Sequence, residues 1–355
     1  MDFGLFYYCQ GRGVPHDQAY AEMLDQIALA ERLGFGECWF AEHHFTDYSL
    51  LPSPNLMLAS AIQRTTHMRF GNYVNALPFH HPLRLAAEAA MLDNLARGRF
   101  DFGIGKGVRP GEFAKLGLNF DDATAMTEEA IEVLLKVWTQ DSASHEGRFW
   151  RFPELSLRPR TYQRPYPPLH MVASRPASVA RVAARGWPVA MHFTPTEVVA
   201  RCIEEYRAAL AARTDPIGDG PYRPRVLLCR ETYVAETPEA ARAEGALALQ
   251  GFWYLSSLAS PPPPGEYSDD RLRQLTTRVW GGRSYDELEA VGGMLIGSPE
   301  HVAAMVDALE AIGVDTLLLV CSFGTLSHAQ VCRSLELFAQ AVLRPRQPVA
   351  TAASG

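Results

Sequence analysis

The stretch CWFAEHHF at 38–45 puts a carboxylate and two imidazoles directly behind an apolar run of strand length. Buried polar groups cost free energy unless they are partnered, so Glu42, His43 and His44 call for a metal site, a catalytic site or a hydrogen-bonded strand end. An imidazole with a pKa near 6.5 exchanges protons around neutrality, which makes His43 a candidate acid–base group. Glu42 or a backbone carbonyl is the candidate that fixes its tautomer. His44 is a second candidate that also fits a structural place, turned into the wall of the fold. Ligand spacing argues against a metal: HExxH is absent, the adjacent histidines diverge, and FHHP at 79–82 has no carboxylate beside it. A triad hydrolase has no GxSxG on which to rest.

A second cluster is HMVASRPASVARV at 170–182. A strand delivers Ser174 and Arg175, Pro176 opens a helix, and Ser178 lies in its first turn, so N–H groups, hydroxyls and a guanidinium could meet an anion there. The same residues also fit an ordinary capped helix with a surface arginine. Lys106, between Gly105 and Gly107, is placed to approach the same anion. GIGKG is no nucleotide fingerprint, because Val108 and Phe100 stand where the dinucleotide and P-loop patterns need glycine. No nicotinamide site of the chain's own is readable.

These residues need elements to hold them. Amphipathic segments end three times in a glycine (Gly34, Gly186, Gly313) and pass straight into an apolar run, the grammar of an αβ connection. Ser53-Pro54, Thr194-Pro195, Thr237-Pro238 and Ser298-Pro299 read as N-cap hydroxyls before a first-turn proline, with Thr194 and Glu197 as a capping box. Tyr20, Met23, Leu24 and Ile27 form the apolar stripe of the first helix. Strand candidates at 3–8, 37–40, 70–77, 100–104, 169–173, 188–192, 226–234 and 316–320 alternate with helices near 18–33, 54–66, 83–97, 122–139, 177–185, 196–212, 299–312 and 328–343. The expected fold is α/β, a (β/α)8 TIM barrel in one domain over 1–344; an open doubly wound sheet is the alternative. The segment 251–293 breaks the rhythm and reads as a lid-like insertion, and 345–355 has the composition of a disordered tail.

Composition bounds the rest. Of 355 residues, 47% are hydrophobic and 21% charged, with no run of membrane-span length. A net charge of -7 without a Lys/Arg block argues against nucleic acid. Six singly scattered cysteines and an N-terminus without signal-peptide features lead to a cytoplasmic expectation. Small-molecule chemistry or a protein partner is left.

In a barrel, active sites lie at the carboxyl ends of the strands, and that is where Glu42, His43, His44, Asn75, Lys106, Ser174 and His192 fall. Together FGLFYY, AERLGFGECWFAEHHFTDYSLLPSP, LPFHHPLRLAAEAAMLDNLARGRFDFGIGKG and VASRPAS resemble the bacterial luciferase-like flavin-dependent monooxygenases over nearly the whole chain. The resemblance implies reduced FMN at the barrel mouth, O2 and a small organic substrate, a separate flavin reductase and a homodimer. By position it implies His43 as the active-site histidine and Lys106, with Ser174, Arg175 and Ser178, at the flavin phosphate. Tyr73 and Val74 would be joined by a non-prolyl cis peptide under the isoalloxazine, followed by Asn75. Gly105 stands where luciferase carries a reactive cysteine, so the resemblance does not extend to light emission. Part of the family uses a deazaflavin, which gives the enzymatic alternative; a flavin-binding protein without turnover is the non-enzymatic one. Tyr8, Cys9, Phe45, His192, Trp253, Trp280 and Phe323 are candidates to line an apolar substrate pocket, each with core packing as the other reading.

Overall fold

The structure, a computed structural model, describes residues 1–11, 13–214, 223–259 and 284–346. Eight parallel strands close into a barrel: β1 Asp2–Tyr7, β2 Glu37–Phe40, β3 Arg69–Asn72, β4 Phe100–Gly105, β5 Leu169–Val172, β6 Val189–Met191, β7 Val226–Val234 and β8 Thr316–Val320. Closure is made by β8, which pairs with β1 at Phe6↔Val320 and with β7 at Glu231↔Val320. All eight lie on the apolar runs picked out in the sequence. Strands covered on both faces lose the alternating pattern, and ECWF of β2 and TLLLV of β8 are buried at every position.

The helices His16–Leu33, Pro54–Ile62, Pro82–Leu95, Ala123–Thr139, Pro176–Ala184, Thr196–Ala211, Pro299–Ala311 and His328–Phe338 pack around the barrel as the alternation requires. Gly34, Gly186 and Gly313 have φ of 103°, 72° and 96°, the left-handed turn from helix to strand. Ser53, Thr237 and Ser298 accept the N–H groups of Leu56, Ala240 and His301. The Thr194 capping box does not form. Its hydroxyl instead donates to the His192 carbonyl at 2.9 Å, and the helix begins at Thr196 behind Pro195.

Other expectations change as well. The run 70–77 is interrupted after Asn72 by a cis Tyr73–Val74 peptide, and only Asn75–Ala76 rejoins β4. Between β4 and β5 the sequence reading missed a short helix, Pro110–Lys115, and an antiparallel hairpin, Ala143–Glu146 with Arg151–Leu155. The first part of the expected lid is helical: Pro238–Leu258 is one helix of 21 residues. The last part contains the helix Tyr285–Ala290, capped by a Ser284–Glu287 box. Residues 260–283, with Trp280, and the tail from 347 lie outside the described residues; Arg344–Arg346 still form a helical turn.

At the amino ends of the strands the barrel is floored by charge. Asp101 bonds Arg69 at 2.6 Å and Arg225 at 3.2 Å, Arg225 also pairs with Glu37, and the Trp39 indole donates to Glu37 at 2.9 Å. Among the described residues no helix is long and apolar enough to cross a membrane.

Candidate active site

At the opposite end, the chain leaving β2 presents His43. Its Nδ1 lies 3.1 Å from Glu112 Oε1, an oxygen that also accepts the His44 N–H at 2.8 Å. Burial alone would raise the pKa of Glu112, but its bonds to His43 and the His44 N–H outweigh that and lower it, so it sits there as an acceptor. The network therefore assigns the proton of His43 to Nδ1 and leaves Nε2 with its lone pair. Burial lowers the pKa of His43, the nearby Arg109 charge adds to this, and Glu112 opposes it. The outcome is a neutral imidazole able to accept a proton.

The expected partner of His43 was Glu42, and the structure assigns that place to Glu112. Glu42 is enclosed elsewhere: its oxygens accept from the Ala76 N–H at 2.8 Å and pair with His44 Nε2 at 2.8 Å and His80 Nε2 at 2.9 Å. Those bonds overcome the effect of burial and lower its pKa, while His80, despite burial, is raised by Glu42. His44 is turned into this cluster, its ring edge-on to Phe79 at 5.3 Å. Glu42 and His44 thus tie the loop after β2 to the loop after β3: Glu42 does not fix the His43 tautomer, and His44 takes the structural one of its two expected places.

A second imidazole stands across the mouth. His192, just past β6, has Nε2 3.0 Å from Glu231 Oε1 and Nδ1 3.0 Å from the Tyr8 hydroxyl. All three residues are buried. Tyr8, just past β1, stacks near His43 at 6.1 Å and tilts against Tyr48 at 4.8 Å. Arg109 lies over the Tyr48 ring at 4.4 Å.

The third wall runs from β3 to β5. Asn75 is fully buried, and neither atom of its amide has a hydrogen-bond partner among the described residues. Tyr73 packs edge-on against Phe6 at 4.9 Å. A Cβ on Gly105 would come within 2.7 Å of Val74 Cγ2, so a cysteine there would displace Val74. Lys106 is exposed just past β4, its Nζ over the Phe120 ring at 5.5 Å. The Ser174 hydroxyl donates to the His192 carbonyl at 3.3 Å. Arg175 is exposed at the start of the helix Pro176–Ala184, and the Ser178 hydroxyl accepts from Arg181 at 3.2 Å.

The helix Pro238–Leu258 crosses over this mouth. Phe252 meets Tyr8 at 5.5 Å, Tyr48 at 5.6 Å and Phe323 at 6.2 Å, and Ser256 accepts from Arg109 through its carbonyl at 3.2 Å. Trp253 is buried, with an indole N–H that has no partner among the described residues. Cys9 is buried at a left-handed turn. Phe323 is fully enclosed in this aromatic packing, and Phe45, 59% exposed, faces outward beside His44 and Lys115. Neither fits a pocket lining formed by the described residues.

A sequence model of the family described as luciferase-like monooxygenase matches residues 1–316. The chain belongs to that family. The oxygenase component of a flavin-dependent trigonelline monooxygenase from Acinetobacter baylyi is 32% identical over 89% of this chain and 87% of its own. An uncharacterized protein of Sinorhizobium fredii is 37% identical, but the match spans 52% of this chain and 54% of that one. Among solved structures, the monooxygenase RslO1 of Streptomyces bottropensis aligns with a TM-score of 0.81 at 29% identity, over 97% of this chain and 99% of its own. Below 25% identity the fold alone is shared. Examples are a Pseudomonas putida Baeyer–Villiger monooxygenase in complex with FMN (21% identical, TM-score 0.78, 98% and 99% covered) and an F420-dependent reductase of Methanopyrus kandleri (16%, 0.71, 98% and 99%).

Glu112, Glu231, Arg109, Tyr48 and Phe252 of this luciferase-like chain were missed in the sequence. Signals existed for two of them: Arg109-Pro110 marks a helix start with Glu112 in its first turn, and Arg230-Glu231 puts charge in the middle of a strand buried at all nine positions.

Proposed function

We propose that this chain is the oxygenase component of a two-component system, taking reduced FMN from a separate flavin reductase and using O2 to oxygenate a small apolar or aromatic organic substrate. The observation that carries this reading is the His43–Glu112 pair together with Asn75, whose amide has no partner among the described residues, at the carboxyl ends of the strands, the end at which Lys106 and Ser174 follow β4 and β5. A phosphorylated flavin suits that arrangement. Lys106, Ser174 and the N–H groups opening the helix at Pro176 would meet its phosphate, with Arg175 and Ser178 at the rim. Asn75 would supply the missing hydrogen bonds to the polar ring edge above Tyr73 and Val74. Bound and reduced, FMN would supply the electrons that activate O2.

The chain's own residues would do the rest. His43 Nε2 accepts and returns one proton, and Glu112 holds the ring in the tautomer that allows it. The aromatic cover of Phe252, Tyr48 and Trp253 keeps water from the reacting centre. The identity shared with the oxygenase component of a flavin-dependent trigonelline monooxygenase supports the two-component reading and a flavin cofactor. The resemblance further supports a homodimer, with one domain proposed over 1–344.

The test couples the protein to a flavin reductase and follows O2 uptake, peroxide release and substrate products gaining one oxygen. Coupled product with FMN and none with F420 is the expected result. Peroxide as the sole product across a broad substrate panel contradicts an oxygenase.

A further inference from the structure

The His43–Glu112 pair accounts for one proton, yet the mouth holds a second, separate proton device. In the chain Tyr8–His192–Glu231 both contacts are 3.0 Å. A carboxylate can only accept, so His192 Nε2 donates to Glu231 and Nδ1 accepts the proton of the Tyr8 hydroxyl. Tyr8 Oη also meets the Tyr48 hydroxyl, which leaves it one lone pair for a substrate and an exit for its own proton toward His192. The other ionisable groups around it are His43 and Tyr48 from the β2 side and Cys229 of β7, with Arg109 over Tyr48 and Glu112 on His43 one contact further away. None of them closes the chain at the Glu231 end, where Oε2 has no partner among the described residues.

We propose that Tyr8, backed by His192 and Glu231, removes the proton of an acidic hydroxyl, phenolic or enolic, on the organic substrate. The substrate O–H passes its proton to Tyr8 Oη, Tyr8 passes its own to His192 Nδ1, and the imidazolium formed is held by the Glu231 carboxylate. One O–H bond breaks, one N–H bond forms, and no electrons are exchanged. Ionising such a hydroxyl raises electron density on the adjacent carbons, which is what an electrophilic oxygen donor needs. The phenyl rings of Tyr48 and Phe252 against Tyr8, at 4.8 and 5.5 Å, suit an aromatic substrate. Tyr8 is the catalytic residue; His192 and Glu231 are positioning residues. The Ser174 bond to the His192 carbonyl joins this device to the wall assigned to the flavin phosphate.

This inference rests on the oxygenase reading for its purpose, and its test needs no turnover. The probe is 4-nitrophenol, bound to the full chain with and without FMN and read by its phenolate absorbance in weakly buffered solution. The expected result is a phenolate-to-phenol ratio in the complex on the order of tenfold or more above that in solution, with no matching release of protons to the medium. Tyr8→Phe and, separately, His192→Gln should return the ratio to its solution value while the probe still binds. A probe that stays neutral, that does not bind, or that ionises equally in both variants overturns the proposal. A chain that ionises the probe through Tyr8 yet never oxygenates keeps this device and loses the oxygenase reading.

Discussion

The two ends of the barrel bury charge in opposite ways. At the floor, Asp101, Glu37, Arg69 and Arg225 compensate one another, and the cavity of about 320 Å³ they help line is ringed by opposed charges. At the mouth the chains are open: among the described residues His43 Nε2 and both amide atoms of Asn75 have no hydrogen-bond partner, and Tyr8 passes its proton on to His192. A closed set of charges contributes to closure and stability. Open valences held in place by buried partners are what binding and proton transfer require. Barrel architecture makes the same division between the amino and carboxyl ends of strands.

Breaking the floor should give the largest effect. Asp101→Ala leaves Arg69 and Arg225 without their shared partner and is expected to cost roughly 3–5 kcal/mol in urea unfolding, with flavin affinity per folded molecule unchanged. Burial would raise the pKa of Asp101, but the bond from His170 and the Arg69 charge hold its carboxyl well below the usual range. A depressed carboxylate contributes stability that is fully present above its unfolded pKa, about 3.9, and fades as acid approaches the folded value. Urea midpoints measured downward from neutral pH should therefore hold level and then fall, and the fall should be shallower in Asp101→Asn, the remainder belonging to other lowered carboxylates such as Glu42 and Glu112.

Breaking the mouth should spare stability and cost chemistry. His43→Ala is expected to bind flavin normally and to lose about 100-fold or more in coupled product while peroxide release rises. Equal losses of unfolding free energy in His43→Ala and Asp101→Ala would erase the contrast between the two ends. Lys106→Ala, at an exposed cation, should lower the preference for FMN over riboflavin by about tenfold, roughly 1.4 kcal/mol, read by flavin fluorescence titration.

The finest effect is a shift in pH profile. Burial already lowers the pKa of His43, and Glu112 opposes that lowering. The proton-accepting form is lost as pH falls through that pKa, so the acid limb of the coupled rate reports it. Glu112→Gln removes the opposing charge, and the limb should move to lower pH. A shift to higher pH would mean that Glu112 does not act on His43 in the way the geometry assigns.

What could be read in the sequence was what neighbours along the chain decide. Gly34, Gly186 and Gly313 declared their turns, Ser53 and Ser298 their caps, and apolar runs the eight strands. The position of His43 at a strand's carboxyl end was legible for the same reason. Its partner was not, because the pairing with Glu112 spans 69 positions and that of Tyr8 with His192 spans 184; barrel closure alone sets both. Glu42 misled for a local reason, being adjacent to His43 while its side chain turns away to His80 and the Ala76 N–H. Likewise the loss of rhythm at Gly251 concealed the continuation of a helix already signalled by Thr237 and Pro238.

The most direct test is a crystal structure of the chain with FMN bound. The phosphate should lie within hydrogen-bond reach of Ser174 and Lys106, and the ring beside Tyr73–Val74 with its polar edge on Asn75 and His43 facing it. FMN seated in the floor cavity between Arg69 and Arg225, or a mouth left without flavin at saturating FMN, would contradict it.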